Sequence, residues 1–233
     1  AASQKINFVP NPNTNNYDIT YHKLEFTVDP AVYFISGKVT TTYTALADMS
    51  TVTFDLTNDL TVSSVLQNGL NLSYIQNSNN ELVINLPSIQ LSGTNATVEI
   101  NYSGTPPGDN SGGFTTSTHN DIPILWTLSE PFNAMNWWPC KQDLNDKTNS
   151  IDVYITAPSQ YISVSNGVEP EAPIVNGSLK TTHFHHGYPI PAYLIAIAVT
   201  NYSVYTQNYG TEPNQFPIVN YLYPETYNEN IPK

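Results

Sequence analysis

One residue that could take part in binding chemistry is Glu130, a carboxylate within the segment Leu125–Lys147. An apolar run ends just before it and Pro131 follows it, so the pattern predicts a strand that stops and a turn that carries the glutamate. A carboxylate in a partly dry cleft can accept charge-assisted hydrogen bonds from an ammonium group. The pattern by itself favours another interpretation, in which Glu130 is a solvated turn residue.

The histidines are the next candidates for chemistry, and they are His22, His119, His183, His185 and His186. On a strand, His183 and His185 would project from the same face, so a metal site with two imidazoles is geometrically possible. No third ligand lies nearby in the sequence, and the favoured alternative is a polar strand face beside the Pro189-Ile190-Pro191 turn. None of the histidines is followed by glutamate, so the zinc-peptidase motif His-Glu-x-x-His is absent.

The adjacent Trp137 and Trp138 could form a platform that stacks on a ligand, or they could anchor the core or an interface. Neighbouring residues of a strand face opposite sides, so the second interpretation is favoured. Cys140 is the only cysteine, which excludes an intrachain disulfide and predicts a buried structural thiol. Tyr193 is also predicted to pack in the core.

A short polar group follows the cysteine and comprises Asp143, Asn145, Asp146 and Lys147. These residues could be turn residues or part of a calcium site. A calcium ion takes about six to eight oxygen ligands, more than this group offers, so the sequence favours turn residues.

The amino-acid composition excludes some classes of binding partner. The chain has 233 residues, a net charge of −12, seven lysines and no arginine. Phosphate backbones attract clustered cations, so nucleic acid is excluded as a partner and an anionic membrane surface is disfavoured. The acidic field favours cationic ligands, such as peptides with a free amino terminus. No apolar run reaches the roughly 18 residues of a transmembrane helix.

The pattern of apolar residues predicts an all-β chain with no helix of ten or more residues. Alternation in Leu24–Val28 predicts a half-buried strand, and Asn68-Gly69 predicts a tight turn. Prolines and glycines in Gly104–Asn120 predict a long loop. Further strands are predicted at Gly37–Ala45, Val52–Leu56, Leu72–Gln76, Glu81–Leu86, Thr97–Tyr102, Ile124–Thr127, Ile151–Thr156, Tyr161–Val164, Leu179–Phe184, Tyr193–Val199 and Ile218–Tyr223.

The segment Leu125–Lys147 resembles the signature of the aminopeptidase N family of zinc metallopeptidases (gluzincin aminopeptidases), near the end of their N-terminal domain. Two later stretches, Val164-Ser165-Asn166-Gly167 and Pro189–Ala196, agree with the family in order and spacing. Tyr17–Val39 resembles the family's opening hairpin. The Trp-Trp-Pro-Cys form is similar to the version found in exported bacterial members.

The resemblance implies a saddle-shaped, multi-sheet antiparallel N-terminal domain of a zinc aminopeptidase over residues 17–225. It also implies, over 226–233, the start of a connection to a catalytic domain that this chain lacks, and the Asn- and Pro-rich composition of residues 1–16 predicts an extended N-terminal arm. Zinc would lie in that catalytic domain and not in this chain, where the family's Gly-x-Met-Glu-Asn loop is also absent. This fragment alone should therefore be inactive.

The resemblance assigns Glu130 to binding the α-amino group of a peptide substrate, with Leu128 and Ser129 as neighbouring substrate-binding positions. Leu128 stands where the family often has glutamine, and Gln142 stands near where many members have aspartate. The implied partners are a peptide with a free N-terminus and the chain's own C-terminal catalytic domain.

Three functions fit these observations. The leading hypothesis is the non-catalytic N-terminal domain of a zinc-dependent aminopeptidase, which walls the substrate cleft and supplies an acidic anchor. The second is a catalytically dead relative that acts as an interaction scaffold. The third is a stand-alone β-sandwich module that binds carbohydrate, suggested by the aromatic residues and the acidity. Composition and resemblance together also predict a secreted or periplasmic bacterial protein.

Overall fold

The structure, a computed structural model, describes residues 11–108 and 112–230, and strands dominate it. In chain order the strands are β1 (Tyr17–Asp29), β2 (Val32–Ala45), β3 (Met49–Asp55), β4 (Leu60–Gln67), β5 (Leu70–Asn71), β6 (Tyr74–Gln76), β7 (Glu81–Gln90), β8 (Asn95–Gly104), β9 (Gly113–His119), β10 (Ile122–Leu128), β11 (Lys147–Thr148), β12 (Ser150–Pro158), β13 (Ile162–Ser165), β14 (Ile174–Asn176), β15 (Leu179–His186), β16 (Ile190–Pro191), β17 (Ile197–Thr200), β18 (Ser203–Tyr209) and β19 (Phe216–Leu222). Short 3₁₀ turns lie at Pro12–Thr14, Ala134–Asn136, Ala192–Leu194 and Pro224–Thr226, and one helical turn, α1, lies at Tyr227–Asn230. The all-β prediction is confirmed.

The strands associate into one large sheet and several small ones. The large sheet has the order β14-β15-β12-β1-β2-β8-β4-β5, and the smaller sheets have the orders β13-β17-β10-β9 and β3-β7-β6. The pairs β11-β16 and β18-β19 each form a two-stranded sheet. Within the described ranges, β1 and β12 are the one parallel pair. The predicted antiparallel arrangement thus has an exception, because β12 enters the sheet beside β1 after a long crossover.

One hydrophobic core joins the large sheet to the two smaller sheets. In β1, Leu24, Phe26 and Val28 are buried while the residues between them are not, as the alternation predicted. Its neighbour β12 repeats the pattern with Ile151 and Val153. Each large apolar side chain that leaves water contributes roughly 1.5–3 kcal/mol. Burial therefore sets the register of the strands, since a slip by one residue would expose the whole apolar set.

Two hairpin turns use left-handed backbone at both central residues. Asn68 and Gly69 have φ values of 53° and 78° and join β4 to β5, which confirms the predicted tight turn. Asn120 and Asp121 have φ values of 47° and 64° and join β9 to β10. Asn and Asp tolerate this conformation better than other residues that have a side chain.

The prediction of a loop over Gly104–Asn120 is wrong for its second half, where β9 lies. Prolines and glycines stop at Gly113, and the following Phe-Thr-Thr-Ser-Thr segment pairs with β10 across the Asn120-Asp121 turn. The turn chemistry of Asn120-Asp121 was the missed signal, because it marks a hairpin and not a loop end. Residues 109–111 of the predicted loop lie outside the described part of the chain.

The predicted extended arm covers residues 1–16, of which 1–10 lie outside the described residues. The rest is not extended, because Pro12–Thr14 form a 3₁₀ turn capped by the side chain of Asn11. The Asn11 amide also donates to Asp55 Oδ1 at 2.9 Å and to Glu81 Oε1 at 2.8 Å. Two carboxylates therefore dock this segment onto the β3-β7 sheet.

The C-terminal part differs in detail from the predicted strands. The predicted strand Tyr193–Val199 begins only at Ile197, because Ala192–Leu194 form a 3₁₀ turn that leaves Tyr193 half-buried and not in the core. Strand β18 was not predicted at all. Residues 226–230 are helical, residues 231–233 lie outside the described part, and the domain division at 225 stays a prediction.

Candidate functional site

Glu130 lies two residues beyond the end of β10, in an exposed turn. Among the described residues, its carboxylate has no hydrogen-bond or ion-pair partner. Leu128, the last residue of β10, is 62% exposed and lies beside it. The turn thus presents one exposed carboxylate and, two residues earlier, one exposed apolar side chain. The carboxylate can accept hydrogen bonds from an ammonium group, and the apolar side chain can pack on the carbon atom that carries this group.

Ser129, which lies between them, faces the interior. Its side chain is buried, and its hydroxyl accepts a hydrogen bond of 2.8 Å from Trp137 Nε1. Its carbonyl accepts from the Asn133 amide at 2.9 Å, which closes the turn. The predicted substrate contact from the Ser129 side chain does not agree with this burial, and Ser129 instead holds the backbone of Glu130 in place.

The first residues of β9 pack directly on this turn. Gly113 has a φ of 102°, and a Cβ there would lie 2.6 Å from the Asn133 carbonyl oxygen. Asn136 Nδ2 donates to the Gly112 carbonyl at 3.1 Å. Only glycine permits so close an approach with this backbone conformation. The turn that carries Glu130 is therefore fixed from two sides, by Trp137 and by β9.

The three C-terminal stretches that carry the family resemblance meet around β10. Thr127 Oγ1 accepts from the Ile197 amide at 2.9 Å. The Asn166 side chain accepts from the Ala196 amide at 2.8 Å and donates to the Leu194 carbonyl at 3.0 Å. Sequence reasoning missed this role of Asn166, although an asparagine just after a short strand is a typical backbone-binding residue. These hydrogen bonds join β13, β17 and β10 within one sheet, and β10 leads directly into the turn of Glu130.

Two grooves on the described surface offer few groups for catalysis. A groove of about 260 Å³ between β10, β13 and β17 is lined by Trp126, Val164, Ala196 and Ala198 among others. A larger one, of about 420 Å³, is lined by residues such as Gln67, Leu86 and Asn95, with no carboxylate, imidazole or thiol among them. Neither groove is lined by a carboxylate, an imidazole, an ammonium or a thiol.

Trp137 and Trp138 are both fully buried, so neither can stack on a ligand. The Trp137 ring lies 5.2 Å from Phe26, and its carbonyl accepts from the Tyr102 hydroxyl at 2.7 Å. Cys140 is likewise fully buried, as predicted. Burial raises the pKa of its thiol well above the usual value, with the Asp55 carboxylate adding to the effect. The thiol is therefore inert, and the segment is structural.

The predicted role of Asp146 as a turn residue is wrong, because its side chain is nearly buried against Lys141. Lys141 Nζ donates to Asp146 Oδ2 at 2.5 Å and to the Tyr17 carbonyl at 2.7 Å. Burial raises the pKa of Asp146, and the hydrogen bond from Lys141 opposes that effect. The Asp146 carboxylate is paired with an ammonium that also binds the Tyr17 carbonyl, so the pair is a structural lock between β1 and the segment after Cys140.

His183 and His185 project from one face of β15, as predicted, and both approach a single carboxylate. His183 Nε2 lies 2.8 Å and His185 Nδ1 2.9 Å from Asp152 Oδ1. His183 Nδ1 lies 2.6 Å from Glu171 Oε1. Burial acts to raise the pKa of Asp152, but hydrogen bonds from Tyr21 and the two histidines outweigh it and hold the pKa below its usual value.

No histidine in the described ranges fits a catalytic zinc site. Both ring nitrogens of His183 face carboxylates, and His119 lies between Glu225 and Thr200. His22 is buried, with Nδ1 2.9 Å from Thr41 Oγ1, and burial lowers its pKa to about 3. Across residues 11–108 and 112–230, no group of three or more potential ligand side chains is arranged to hold a metal ion. A zinc-dependent step cannot be derived from these residues.

Comparison with known proteins relates the fold of this chain to solved structures. No curated protein matches the chain. Among solved structures, it is similar to the M1 zinc metallopeptidase from Deinococcus radiodurans, with 22% identity and a TM-score of 0.78. A mutant of that enzyme bound to a Tyr-Ser-Ala substrate superimposes with a TM-score of 0.79 at 23% identity.

Both similarities cover 88% of this chain but only 47% of the enzyme, so the chain spans about half the length of the structures it matches. At this identity they show the fold. No helix among the described residues is long and apolar enough to cross a bilayer.

Residues 13–194 match the family model described as the Peptidase M1 N-terminal domain, and the chain therefore belongs to that family, which confirms the resemblance to aminopeptidase N.

Proposed function

We propose that this chain is the non-catalytic N-terminal module of a zinc aminopeptidase, in which it walls the substrate cleft and supplies an acidic anchor for the substrate amino terminus. The observation that carries the proposal is Glu130, an exposed carboxylate without a partner in the described chain on a turn fixed by Trp137 and Gly113. A rigid anchor binds better than a flexible one because little conformational entropy is lost on binding.

Glu130 distinguishes the free amino terminus of a peptide from an internal peptide bond by its charge. A free α-amino group is an ammonium near neutral pH, and its hydrogen bonds to a carboxylate contribute roughly 1.5–3 kcal/mol. An internal peptide N–H carries no charge, and its hydrogen bond would not offset the free energy that desolvation of the carboxylate costs. The exposed Leu128 packs beside the bound residue and excludes water from the contact. Glu130 thus sets the register of the substrate at its first residue.

Bond cleavage belongs to a separate catalytic module, which holds zinc and the water that it activates. Four of the five imidazoles of this chain, those of His22, His119, His183 and His185, already face carboxylates or hydroxyls. We therefore propose that the module alone has no peptidase activity and that its role is binding and orientation. The export predicted from composition extends this proposal to a protein that works outside the cytoplasm.

The test compares Glu130→Ala with Glu212→Ala in the complete enzyme. Glu212 is an exposed glutamate that likewise precedes a proline, so it controls for loss of charge alone. We expect Glu130→Ala to lower kcat/KM for aminoacyl substrates by about tenfold or more, which corresponds to one charge-assisted hydrogen bond. The Glu212→Ala enzyme should keep wild-type kinetics.

An N-acetylated substrate supplies the second arm of this experiment. The wild-type enzyme should strongly prefer the free amine, and the Glu130→Ala variant should lose most of that preference because the anchor for the charge is gone. Equal discrimination by the wild-type enzyme and by the variant would remove Glu130 from substrate binding.

A further inference from the structure

We propose that a groove over the start of β8 binds an uncharged oligosaccharide. This β8 groove has a volume of about 420 Å³, within the range of about 300–1,000 Å³ that is typical of ligand pockets. Its polar lining residues carry amide or hydroxyl side chains, and they are Gln67, Asn68, Ser88, Gln90, Asn95 and Thr97. None of them lies in the turn of Glu130, so binding here would be separate from the substrate binding proposed for that turn.

The β8 groove lies where the large sheet leaves a gap. β4 pairs with β8 as far as Leu66, which is opposite Glu99, and then turns into β5. Residues 95–98 of β8 therefore pair with β2 on one side and with no described strand on the other. This open stretch is shorter than the roughly five to six residues of a usual strand, so it offers little to a peptide that would bind as an added strand.

A bulge in β7 forms the opposite wall of the β8 groove. Thr51 of β3 pairs with Asn85 of β7, and the next pair joins Met49 to Gln90. Residues 86–89 therefore leave the ladder and line the groove with part of their length. Bulges occur often next to binding sites, because they redirect side chains out of the regular pleat.

Hydrogen bonds within the chain hold the walls of the groove in place. Gln90 Oε1 accepts from the hydroxyl of the buried Tyr43 at 3.0 Å, and Gln90 Nε2 donates to the Thr94 carbonyl at 3.0 Å. Asn95 Oδ1 accepts from Thr44 Oγ1 at 2.8 Å. A preformed site loses little conformational entropy when a ligand binds.

Other polar groups of the groove remain open to a ligand. In the described part of the chain, the side chains of Gln67, Asn68 and Ser88 have no hydrogen-bond partner, and Asn95 Nδ2 has none either. An amide offers two N–H donors and an oxygen that accepts. Neighbouring hydroxyls of a sugar ring present donors and acceptors in the same way, so each amide can bind a pair of them.

The charge of the lining selects against ions. The chain has a net charge of −12, yet none of the described residues that line the β8 groove is charged. A charged ligand would lose water there without gaining an opposite charge. Leu86 and Ala96 add apolar surface on which the C–H groups of a sugar ring can pack. The combination fits a ligand that is rich in hydroxyls and carries no charge.

A second groove extends the site along β8. It has a volume of about 270 Å³, shares Asn68 and Thr97 with the β8 groove, and adds Glu99. At about 3.3 Å per residue, the stretch from Asn95 to Glu99 spans about 13 Å, which is longer than one sugar ring. The Glu99 carboxylate would repel an acidic polysaccharide. The ligand is therefore an uncharged chain of a few sugar units.

The experiment is isothermal titration of the 233-residue chain with maltohexaose, cellohexaose and mannohexaose. Hexagalacturonate and hexaglycine are the charged and the peptide comparison. We expect at least one of the three uncharged hexasaccharides to bind with a Kd of about 1 mM or below, and neither comparison ligand to bind as tightly.

The variant Gln67→Ala/Asn68→Gly removes two of the open amides, and glycine keeps the left-handed turn at residue 68, where φ is 53°. It should weaken binding at least about tenfold, which corresponds to the loss of one to two hydrogen bonds. Gln207→Ala/Asn208→Ala removes the same dipeptide at the same exposure from β18 and should bind as the wild type does. Both variants should unfold within a few degrees of the wild type, because none of these four side chains has a hydrogen-bond partner in the described structure.

Three results would overturn the inference. The first is no binding of any of the three uncharged hexasaccharides. The second is binding that Gln67→Ala/Asn68→Gly leaves unchanged, because the site would then lie elsewhere. The third is equal or tighter binding of hexagalacturonate or hexaglycine, which would assign the groove to an anion or to a peptide.

Discussion

At the scale of single residues, neighbours in the sequence have opposite roles. Glu130 and Leu128 face solvent, whereas Ser129 between them is buried under Trp137. The residue types alone allowed all three side chains to meet a substrate. Only the hydrogen bond from a tryptophan eight residues later turned Ser129 inward, and a partner at that distance is not visible in a local pattern.

His22 carries a pH dependence that can be predicted with its sign. Burial lowers its pKa from 6.5 to about 3. Between these values the unfolded state binds a proton that the folded state does not bind, so stability is complete above pH 6.5 and falls as the pH falls towards 3. This one group should cost about 2 kcal/mol of unfolding free energy between pH 7 and pH 5.

The measurement is urea unfolding of the wild type and of His22→Gln at pH 7 and at pH 5. Glutamine can still bond to Thr41 but does not titrate, so the variant should lose about 2 kcal/mol less than the wild type over this range. A control variant, His186→Gln, removes a histidine that is only half-buried. It should lose as much unfolding free energy between pH 7 and pH 5 as the wild type does. Equal losses of unfolding free energy between pH 7 and pH 5 for the wild type and His22→Gln would show that His22 is not buried in its neutral form.

At the scale of elements, the local signals predicted most strands and some turns. Alternation identified β1, and Asn68-Gly69 identified the β4–β5 turn, because both signals lie within a few residues. The Asn120-Asp121 turn carried an equally local signal, which the surrounding prolines and glycines obscured. The order of strands in the sheets lay beyond such reasoning, since β1 pairs with β12, more than a hundred residues later.

The contact between β9 and the turn of Glu130 gives a prediction at this scale. In Gly113→Ala, the new Cβ would meet the Asn133 carbonyl at 2.6 Å in a backbone with φ of 102°. Strain and clash together should lower the free energy of unfolding by about 3 kcal/mol. In the complete enzyme the displaced turn should also raise KM for aminoacyl substrates.

Gly93→Ala is the control for this variant. Gly93 has a similar φ of 79°, but a Cβ there would meet no atom within 4 Å. It should therefore cost only about 1 kcal/mol, the strain of a left-handed residue. Equal losses for both variants in chemical denaturation would mean that backbone strain alone matters and that β9 does not support the turn.

At the scale of the whole molecule, a buried ion pair ties the start of the β-domain to a segment far along the chain. Lys141 bonds to both Asp146 and the carbonyl of Tyr17, the first residue of β1. The ring of Tyr17 also lies 4.8 Å from the ammonium. The lock therefore joins the N-terminal strand to the segment that follows Trp137 and Trp138.

A double-mutant cycle tests the lock. Lys141→Met leaves Asp146 buried without its partner and should lower the free energy of unfolding by about 3–5 kcal/mol. The double variant Lys141→Met/Asp146→Leu removes both charges and should recover most of that loss, since an apolar pair fits a dry site. Thermal and urea unfolding of the wild type, Lys141→Met, Asp146→Leu and the double variant give the coupling energy, and additive losses would show that the two side chains do not interact.

The sequence by itself determined the class of fold, the family and the absence of a zinc-peptidase motif from these residues. Alternating apolar residues, turn dipeptides and the Trp-Trp-Pro-Cys segment act over a few residues, so their consequences can be predicted from order alone. The tertiary structure decided which carboxylate is free and which is locked, because Glu130 and Asp146 look alike until the fold buries Asp146 with Lys141, whose ammonium also donates to the carbonyl of Tyr17 in β1. It also decided that Gln67, Leu86 and Asn95 line one groove, since a groove depends on contacts between segments that the chain order does not specify.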